Sequence, residues 1–320
     1  MKSVLCITLN PAIDMTISVN GLAVGEVNRA TTSQVDAAGK ALNSAQVLAD
    51  LGVQTVATGF LGADNAQVFE RLFADRDAKI AKSATSTARL TDAFVRVAGE
   101  TRTNVKLVDH GVTTDINGKG FVVSAADKVA LLEQVTALAN KVDAALVAGS
   151  LPQGFTPMDF DQLLGALTAI CPKVAVDVSG DALKIALKHP LWLIKPNNDE
   201  LTEAFGVPCE TLVEQRALFE RLDVNIEHIV ISMGAKGVHW LSGNQTYQAL
   251  PPSMTVASTV GAGDTLVSGM IYGLLMAQDA KMILCQAVAL SAYAVSIVGF
   301  GIPDQQTLDT LQAQVQIFPN

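Results

Sequence analysis

Ser258-Thr259-Val260-Gly261-Ala262-Gly263-Asp264-Thr265 is the stretch on which the reading of this chain turns. Strand-like residues 254–256 precede it, and an uncharged run with helical character, residues 266–277, follows. Two glycines at such a turn let backbone N–H groups converge on one point, and the start of a helix adds its positive end. The product is a hole for an anion, either a phosphate or charge developing on one, lined by the backbone of Gly261, Ala262 and Gly263. Asp264 stands in its middle. A carboxylate repels an anionic ligand, and the task that fits one there is to accept a proton from a hydroxyl attacking phosphorus. The competing reading is an Asp N-cap on a buried helix.

Working outward, short apolar runs recur at residues 4–9, 53–60, Ala144–Ala148, 174–178, Leu191–Ile194 and 228–232, each followed by turn residues and helix-like sequence. Continuous apolar strands between amphipathic helices predict an α/β chain with a mainly parallel central sheet covered on both faces. Residues 15–35 and 91–97, and then 103–108, alternate in a strand-like way instead. These segments predict a second, small sheet standing over the edge of the first as a lid, inserted at about residues 11–36 and 88–119 of a single domain spanning 1–320. In open α/β sheets ligands bind beyond the carboxyl ends of the strands, so the loops after those strands are the candidate site.

Composition narrows the classes. The 320 residues are 49% hydrophobic and 17% charged, which supplies a large core and excludes disorder. A net charge of −9 lacks the basic footprint of a nucleic-acid or anionic-membrane binder. An anionic ligand must therefore be held by a local pocket against the long-range field. Cys6, Cys171, Cys209 and Cys285 form no CxxC, which fits free thiols in a reducing, cytoplasmic setting, and the four histidines show no zinc spacing. The apolar opening is too short for a signal peptide. Residues between Lys281 and Asp304 carry no charge, but recurring Gln286, Ser291 and Ser296 and the break at Gly299-Phe300-Gly301-Ile302-Pro303 predict a buried helix rather than a membrane span.

Neither a P-loop GxxxxGK[ST] nor a GxGxxG after the first strand is present, so a nicotinamide-dependent oxidoreductase is unsupported and a phosphate-handling site needs another cradle. Ser232-Met233-Gly234-Ala235-Lys236-Gly237 offers glycines for close approach of a nucleotide, or forms a plain hairpin turn. In Lys195-Pro196-Asn197-Asn198-Asp199-Glu200, Pro196 predicts a helix start, with Asn197 and Glu200 one turn apart. That pair can hold the waters of a Mg²⁺ ion or make a capping box. Gly39, Lys40 and Asn43 lie where a strand gives way to a helix, and Asp14 lies just beyond the first strand. Arg102 and Lys106 flank Asn104 and share one face of a lid strand, which suits an anionic group on a substrate. Residues 149–154, including Ser150, follow a strand at the correct edge of the sheet.

Together these motifs resemble the PfkB carbohydrate kinases of the ribokinase-like fold from end to end. Gly261–Asp264 carries the resemblance most specifically, then Lys195-Pro196-Asn197 with Glu200, and residues 149–154. Residues 8–14, 101–106 and 258–261 are most similar to the bacterial members that act on fructose 1-phosphate. The resemblance implies a ribokinase-like three-layer α/β/α domain with a β-sheet lid. It implies Asp264 as catalytic base, Gly261, Ala262 and Gly263 at the anion hole, and Mg²⁺-ATP near Asn197 and Glu200. It further implies Lys195 at the phosphates, Ser232, Gly234 and Gly237 along the nucleotide, and sugar contacts from Asp14, Gly39, Lys40, Asn43 and Ser150. Arg102, with Asn104 beside it, is implied at the substrate phosphate, and a homodimer through the lid is expected. Kinase action on tagatose 6-phosphate or fructose 6-phosphate, and a non-catalytic sugar-phosphate sensor, are the alternatives. Ala41 stands where the family usually has glycine, and its methyl is expected to narrow the backbone approach to the sugar.

Overall fold

The computed structural model describes residues 1–82, 88–110, 112–297 and 299–319. Strand β1 (Ser3–Thr8) runs through the centre of the main sheet. Two lid strands follow, β2 (Ala12–Val19) and β3 (Thr32–Ala38), before helix α1 (Lys40–Asp50) leads back to β4 (Gln54–Gly62), parallel to β1. Helix α2 (Gln67–Lys82) and the short strands β5 (Leu90–Asp92) and β6 (Val95–Val97) precede the second lid pair, β7 (Arg102–Asp109) and β8 (Val112–Asn117). The chain then alternates regularly through α3 (Ala125–Ala139), β9 (Ala144–Ala148), α4 (Pro157–Ile170), β10 (Val174–Asp177), α5 (Gly180–Ala186) and β11 (Leu191–Ile194). Helices α6 (Asn198–Phe205) and α7 (Leu212–Leu222) lead to β12 (Ile226–Ser232) and the antiparallel β13 (Val238–Ser242) and β14 (Gln245–Leu250). Helices α8 (Ala262–Leu275), α9 (Ala280–Val295) and α10 (Gln305–Gln312) and strand β15 (Gln316–Pro319) close the chain.

Sheet order is β15-β14-β13-β12-β11-β10-β9-β1-β4-β5, parallel from β12 to β5 and antiparallel outside β12. Alternation along β1 divides the core in two. Val4 and Cys6 pack with Leu42 of α1, Met270 of α8 and Leu284 of α9, whereas Leu5 and Ile7 pack with Leu131 of α3, Leu163 of α4 and Phe219 of α7. Both faces of the sheet are covered, which is why its strands read as unbroken apolar runs. The uncharged run before Asp304 becomes α9, with Ile283, Leu284, Ala287, Val288 and Leu290 buried but Met282 exposed. No helix among the described residues is long and apolar enough to cross a membrane. Val298, in that run, lies outside the described residues, as does Gly111 in the lid.

The lid is a separate four-stranded sheet, β3-β2-β7-β8, in which β2 and β7 run parallel. Residues 91–97, expected in the lid, instead supply β5 and β6, which pair in parallel with β4 at the edge of the main sheet. Burial decides it: Leu90, Phe94 and Val97 are all inside the core. Residues 254–256 do not form the expected strand. Pro251 and Pro252 remove two ladder donors, and just beyond the segment the amides of Ala257 and Ser258 donate to the Val295 carbonyl at the end of α9.

Candidate active site

The carboxyl ends of β10, β11 and β12 rise to one rim, where the strand order reverses on either side of β1. There a cavity of about 730 Å³ is lined by the rim loops, by lid residues Asp14, Arg102 and Asn104, and by the start of α8. Gly261 is the N-cap of α8 at φ 82°, and no side chain among the described residues caps the helix. A Cβ at Gly261 would lie 2.5 Å from Cε1 of Phe300, so left-handed backbone and close packing both require glycine. The first amides of α8 thus lack intrahelical and side-chain acceptors, and they border the cavity.

Asp264 is the third residue of α8, which excludes the N-cap reading. The residue is 6% exposed, and Nδ2 of Asn43 donates to its Oδ2 at 2.7 Å. Ser44 Oγ donates to the Asp264 carbonyl at 3.1 Å, pinning α8 to α1. Burial, aided by the nearby Asp177 carboxylate, raises the proton affinity of Asp264 to a pKa of about 6, against the pull of Asn43, Lys40 and Lys195. The carboxyl therefore titrates just below neutrality, where a general base is most effective.

Asp177, at the end of β10, was not among the expected residues. It is 1% exposed and its Oδ1 meets Lys195 Nζ at 3.3 Å and Lys40 Nζ at 3.5 Å. The sequence carried a signal for it, an acid closing the buried strand Val174–Asp177 at the ligand-bearing edge. Asp177 raises the proton affinity of Lys40, outweighing desolvation. Lys195 Nζ lies 3.4 Å from where a Cβ on Gly263 would be, so glycine there lets the ammonium sit against the helix start.

Along the rim, Asn197 is the N-cap of α6 and Asn198 its first residue, so the helix begins just after Pro196 rather than at it. The capping box forms: Glu200 N donates to Asn197 Oδ1 at 2.7 Å, and Asn197 N to Glu200 Oε2 at 2.9 Å. Both residues still line the cavity, and Glu200 Oε1 is left without a partner among the described residues. Ser232 and Gly234 line the same wall, the Ser232 amide donating to the Pro196 carbonyl at 3.1 Å. Farther out, Glu210 takes Lys236 Nζ at 2.8 Å and Asn198 Nδ2 at 2.8 Å, a pairing that composition gave no hint of.

Five of the residues singled out in the sequence, Gly237, Ser150, Ala262, Ala41 and Lys106, do not line the cavity. Gly237 does not line the cavity; a Cβ there would sit 2.1 Å from the Ala249 carbonyl oxygen, so the glycine serves the turn into β13. Ser150 is exposed outside the cavity and accepts from Asn10 Nδ2 at 3.0 Å. The side chain of Ala262 is likewise outside and its carbonyl accepts from Ser291 Oγ at 3.0 Å, which leaves its amide, the first of α8, in the place expected of the anion hole. Ala41 is fully buried in the core of α1 and its methyl narrows nothing in the cavity. In the lid, Lys106 is held by Asp14 at 3.7 Å and Asp115 at 3.3 Å, away from the cavity. Arg102 lines it, donates to the carbonyls of Pro11 and Asn10 at 3.3 and 3.2 Å, and makes no salt bridge among the described residues. Asn104 Nδ2 donates to Asp14 Oδ1 at 3.1 Å.

Three buried acceptors in this lining, Asn43 Oδ1, Asn104 Oδ1 and Asp177 Oδ2, have no donor among the described residues. Buried acceptors are rarely left so, and their gathering beside one cavity sets this lining apart from the rest of the core. The pfkB family carbohydrate kinase model matches residues 1–307. The chain belongs to the pfkB family of carbohydrate kinases. It is 46% identical over 318 residues to a 1-phosphofructokinase of Vibrio cholerae, covering 99% of this chain and 96% of the relative. It is 38% identical to the 1-phosphofructokinase of Escherichia coli K12, covering 99% of each. The fold matches that of phosphofructokinase-2 from Escherichia coli in complex with substrates and products, with a TM-score of 0.83 at 23% identity over 98% of this chain and 99% of the other. It also matches an Arabidopsis thaliana ribokinase complexed with ribose and ATP, with a TM-score of 0.73 at 21% identity over 97% and 98% of the two chains. As a member of this family the chain is an ATP-dependent sugar kinase of three-layer α/β/α architecture.

Proposed function

We propose that this kinase transfers the γ-phosphoryl group of ATP to the 6-hydroxyl of fructose 1-phosphate, giving fructose 1,6-bisphosphate and ADP. The observation that carries the reading is the buried Asp264 carboxyl at the uncapped start of α8, in one cavity with Lys40, Lys195 and Arg102. Full-length relatives named 1-phosphofructokinase support the choice of sugar phosphate. The roles below are read from position.

Asp264 takes the proton as the sugar oxygen bonds to the γ-phosphorus and the bond to the β-phosphate oxygen breaks. The amides at the start of α8 and the Lys195 ammonium face the charge spread over the transferring group. Arg102 holds the substrate's existing phosphate, while Asn43, Asn104 and Asp14 orient sugar hydroxyls. Ser232 and Gly234 flank the nucleotide. No cluster of three or more metal-ligating side chains occurs among the described residues. The free Glu200 Oε1 and the amide of Asn197 suit a hydrated Mg²⁺ carried in with the nucleotide, held through water. When bound, the ion would neutralise phosphate charge. Lid closure keeps water from competing as acceptor.

Val35, Met15, Val105 and Ile116, in register across the outer face of the lid, support a homodimer through that face, and the four unpaired cysteines suit a reducing cytoplasm. An ADP-coupled assay with and without magnesium tests the reaction, comparing kcat/KM for fructose 1-phosphate, fructose 6-phosphate and tagatose 6-phosphate. Fructose 1-phosphate should lead. Equal or higher values for either of the others would reassign the substrate, and sugar-phosphate binding without turnover would make the chain a sensor.

A further inference from the structure

Four charged groups meet at the floor of the cavity: Asp264 is read as the base, Lys195 faces the transferring group, and Lys40 was expected at the sugar. The fourth is Asp177. Its Oδ1 is shared by two ammonium groups that arrive on different elements, Lys40 from the start of α1 and Lys195 from the loop after β11. Both lysines also act electrostatically on Asp264. A carboxylate that is 1% exposed, with one oxygen unpartnered among the described residues, is a costly thing to keep in a protein. It persists here beside two cations that would otherwise repel each other and turn to the remaining buried carboxylate, Asp264. A direct ion pair between Asp264 and either ammonium would cover the oxygen that must receive the proton and depress its basicity.

We propose that Asp177 is a positioning residue, which holds Lys40 and Lys195 on their own sides of the reacting groups and so keeps the Asp264 carboxyl free to act as base. Asp177 touches neither substrate nor the transferred group in this account. It acts through the two lysines. The inference rests on the phosphoryl-transfer reading given above. The charged groups around the cluster are Lys40, Lys195 and Asp264, with Glu200 acting on Lys40 from α6.

The test uses Asp177→Asn and Asp177→Ser in the full chain, with folding checked by thermal unfolding and fructose 1-phosphate binding measured by calorimetry without nucleotide. Expected is a fall in kcat of at least about tenfold with sugar affinity held within about threefold, since the loss is one of base and lysine placement. Both limbs of the pH profile of kcat/KM should move to lower pH, because Asp177 raises the proton affinity of Asp264 and of Lys40 alike. A merely structural residue would lower activity without moving those limbs. In a Lys195→Met background, Asp177→Asn should cost much less than it does alone, as residues acting through one another are not additive. A profile superimposable on the parent's, full additivity with Lys195→Met, or failure of both Asp177 variants to fold would each overturn the proposal. Absence of turnover in the parent chain would instead strike the proposed reaction, so the two failures are distinct.

Discussion

Asp264 combines two properties that seldom coexist at a surface carboxylate, near-complete burial and a pKa of about 6. Three consequences follow at the scale of this one side chain. Asp264→Asn should lower kcat by at least about 100-fold, the usual size of a general-base contribution. The acid limb of the parent's kcat/KM should fall near pH 6 rather than near the ordinary value of 3.8. The same substitution should stabilise the fold at neutral pH. The folded chain retains a proton on Asp264 that the unfolded chain releases at lower pH. The contribution of Asp264 to stability therefore falls as pH rises through the window from about 4 to 6, by about 3 kcal/mol. The Asp264→Asn variant has no proton to lose there, so its melting temperature should exceed the parent's by about 5 °C at pH 7.5 and converge with it near pH 4. A difference in melting temperature that stays constant across this range would refute the assignment of burial as the dominant cause.

The start of α6 shows one element serving two ends. Asn197 and Glu200 cap the helix with their backbone-facing atoms while lining the cavity, so the sequence alternatives of capping box and magnesium relay are compatible. Substitution separates them. Asn197→Ala should cost about 1 kcal/mol in unfolding, the normal loss for an N-cap. Glu200→Gln keeps a residue that completes a capping box, so its stability should stay within about 0.5 kcal/mol of the parent. Its activity should nevertheless require more magnesium. An unshifted magnesium titration in Glu200→Gln would confine Glu200 to capping. The start of α8 makes the opposite choice: no side chain among the described residues caps it, and its amides stay available to a ligand.

At the scale of the whole molecule, the lid sets one polar face over the cavity and turns an apolar one outward. Val35, Met15, Val105 and Ile116 stand in register across all four strands, and Ile116 is 60% exposed. A single sheet with an apolar face open to water is incomplete, and a second lid is the self-complementary cover. Sedimentation velocity should give a dimer for the parent at micromolar concentration and a monomer for Ile116→Asp. A monomeric parent at that concentration would exclude the arrangement. The lid also brings Arg102 to a cavity floored by Lys40 and Lys195, so this acidic chain gathers three cations where an anionic ligand would lie, although carboxylates share the same lining.

Local order determined much of this. The apolar runs from β9 to β12 declared a parallel sheet because burial on both faces leaves no room for polar alternation. The glycines around Ala262 declared an open helix start, because the left-handed backbone at Gly261 favours glycine and Phe300 leaves no room there for a Cβ. What the sequence left undecided depended on contacts between distant segments. Asp177 looked like any strand end until Lys40 and Lys195 arrived at it from positions 137 residues earlier and 18 residues later. Gly237 and Ser150 carried suitable local patterns, yet the path of β14 claimed the first and Asn10 the second. Residues 91–97 alternated like a lid strand, but the open edge of β4 offered more burial. Backbone conformation and face periodicity are short-range and readable along the chain. The sharing of one buried oxygen by two cations is a property of three-dimensional proximity alone.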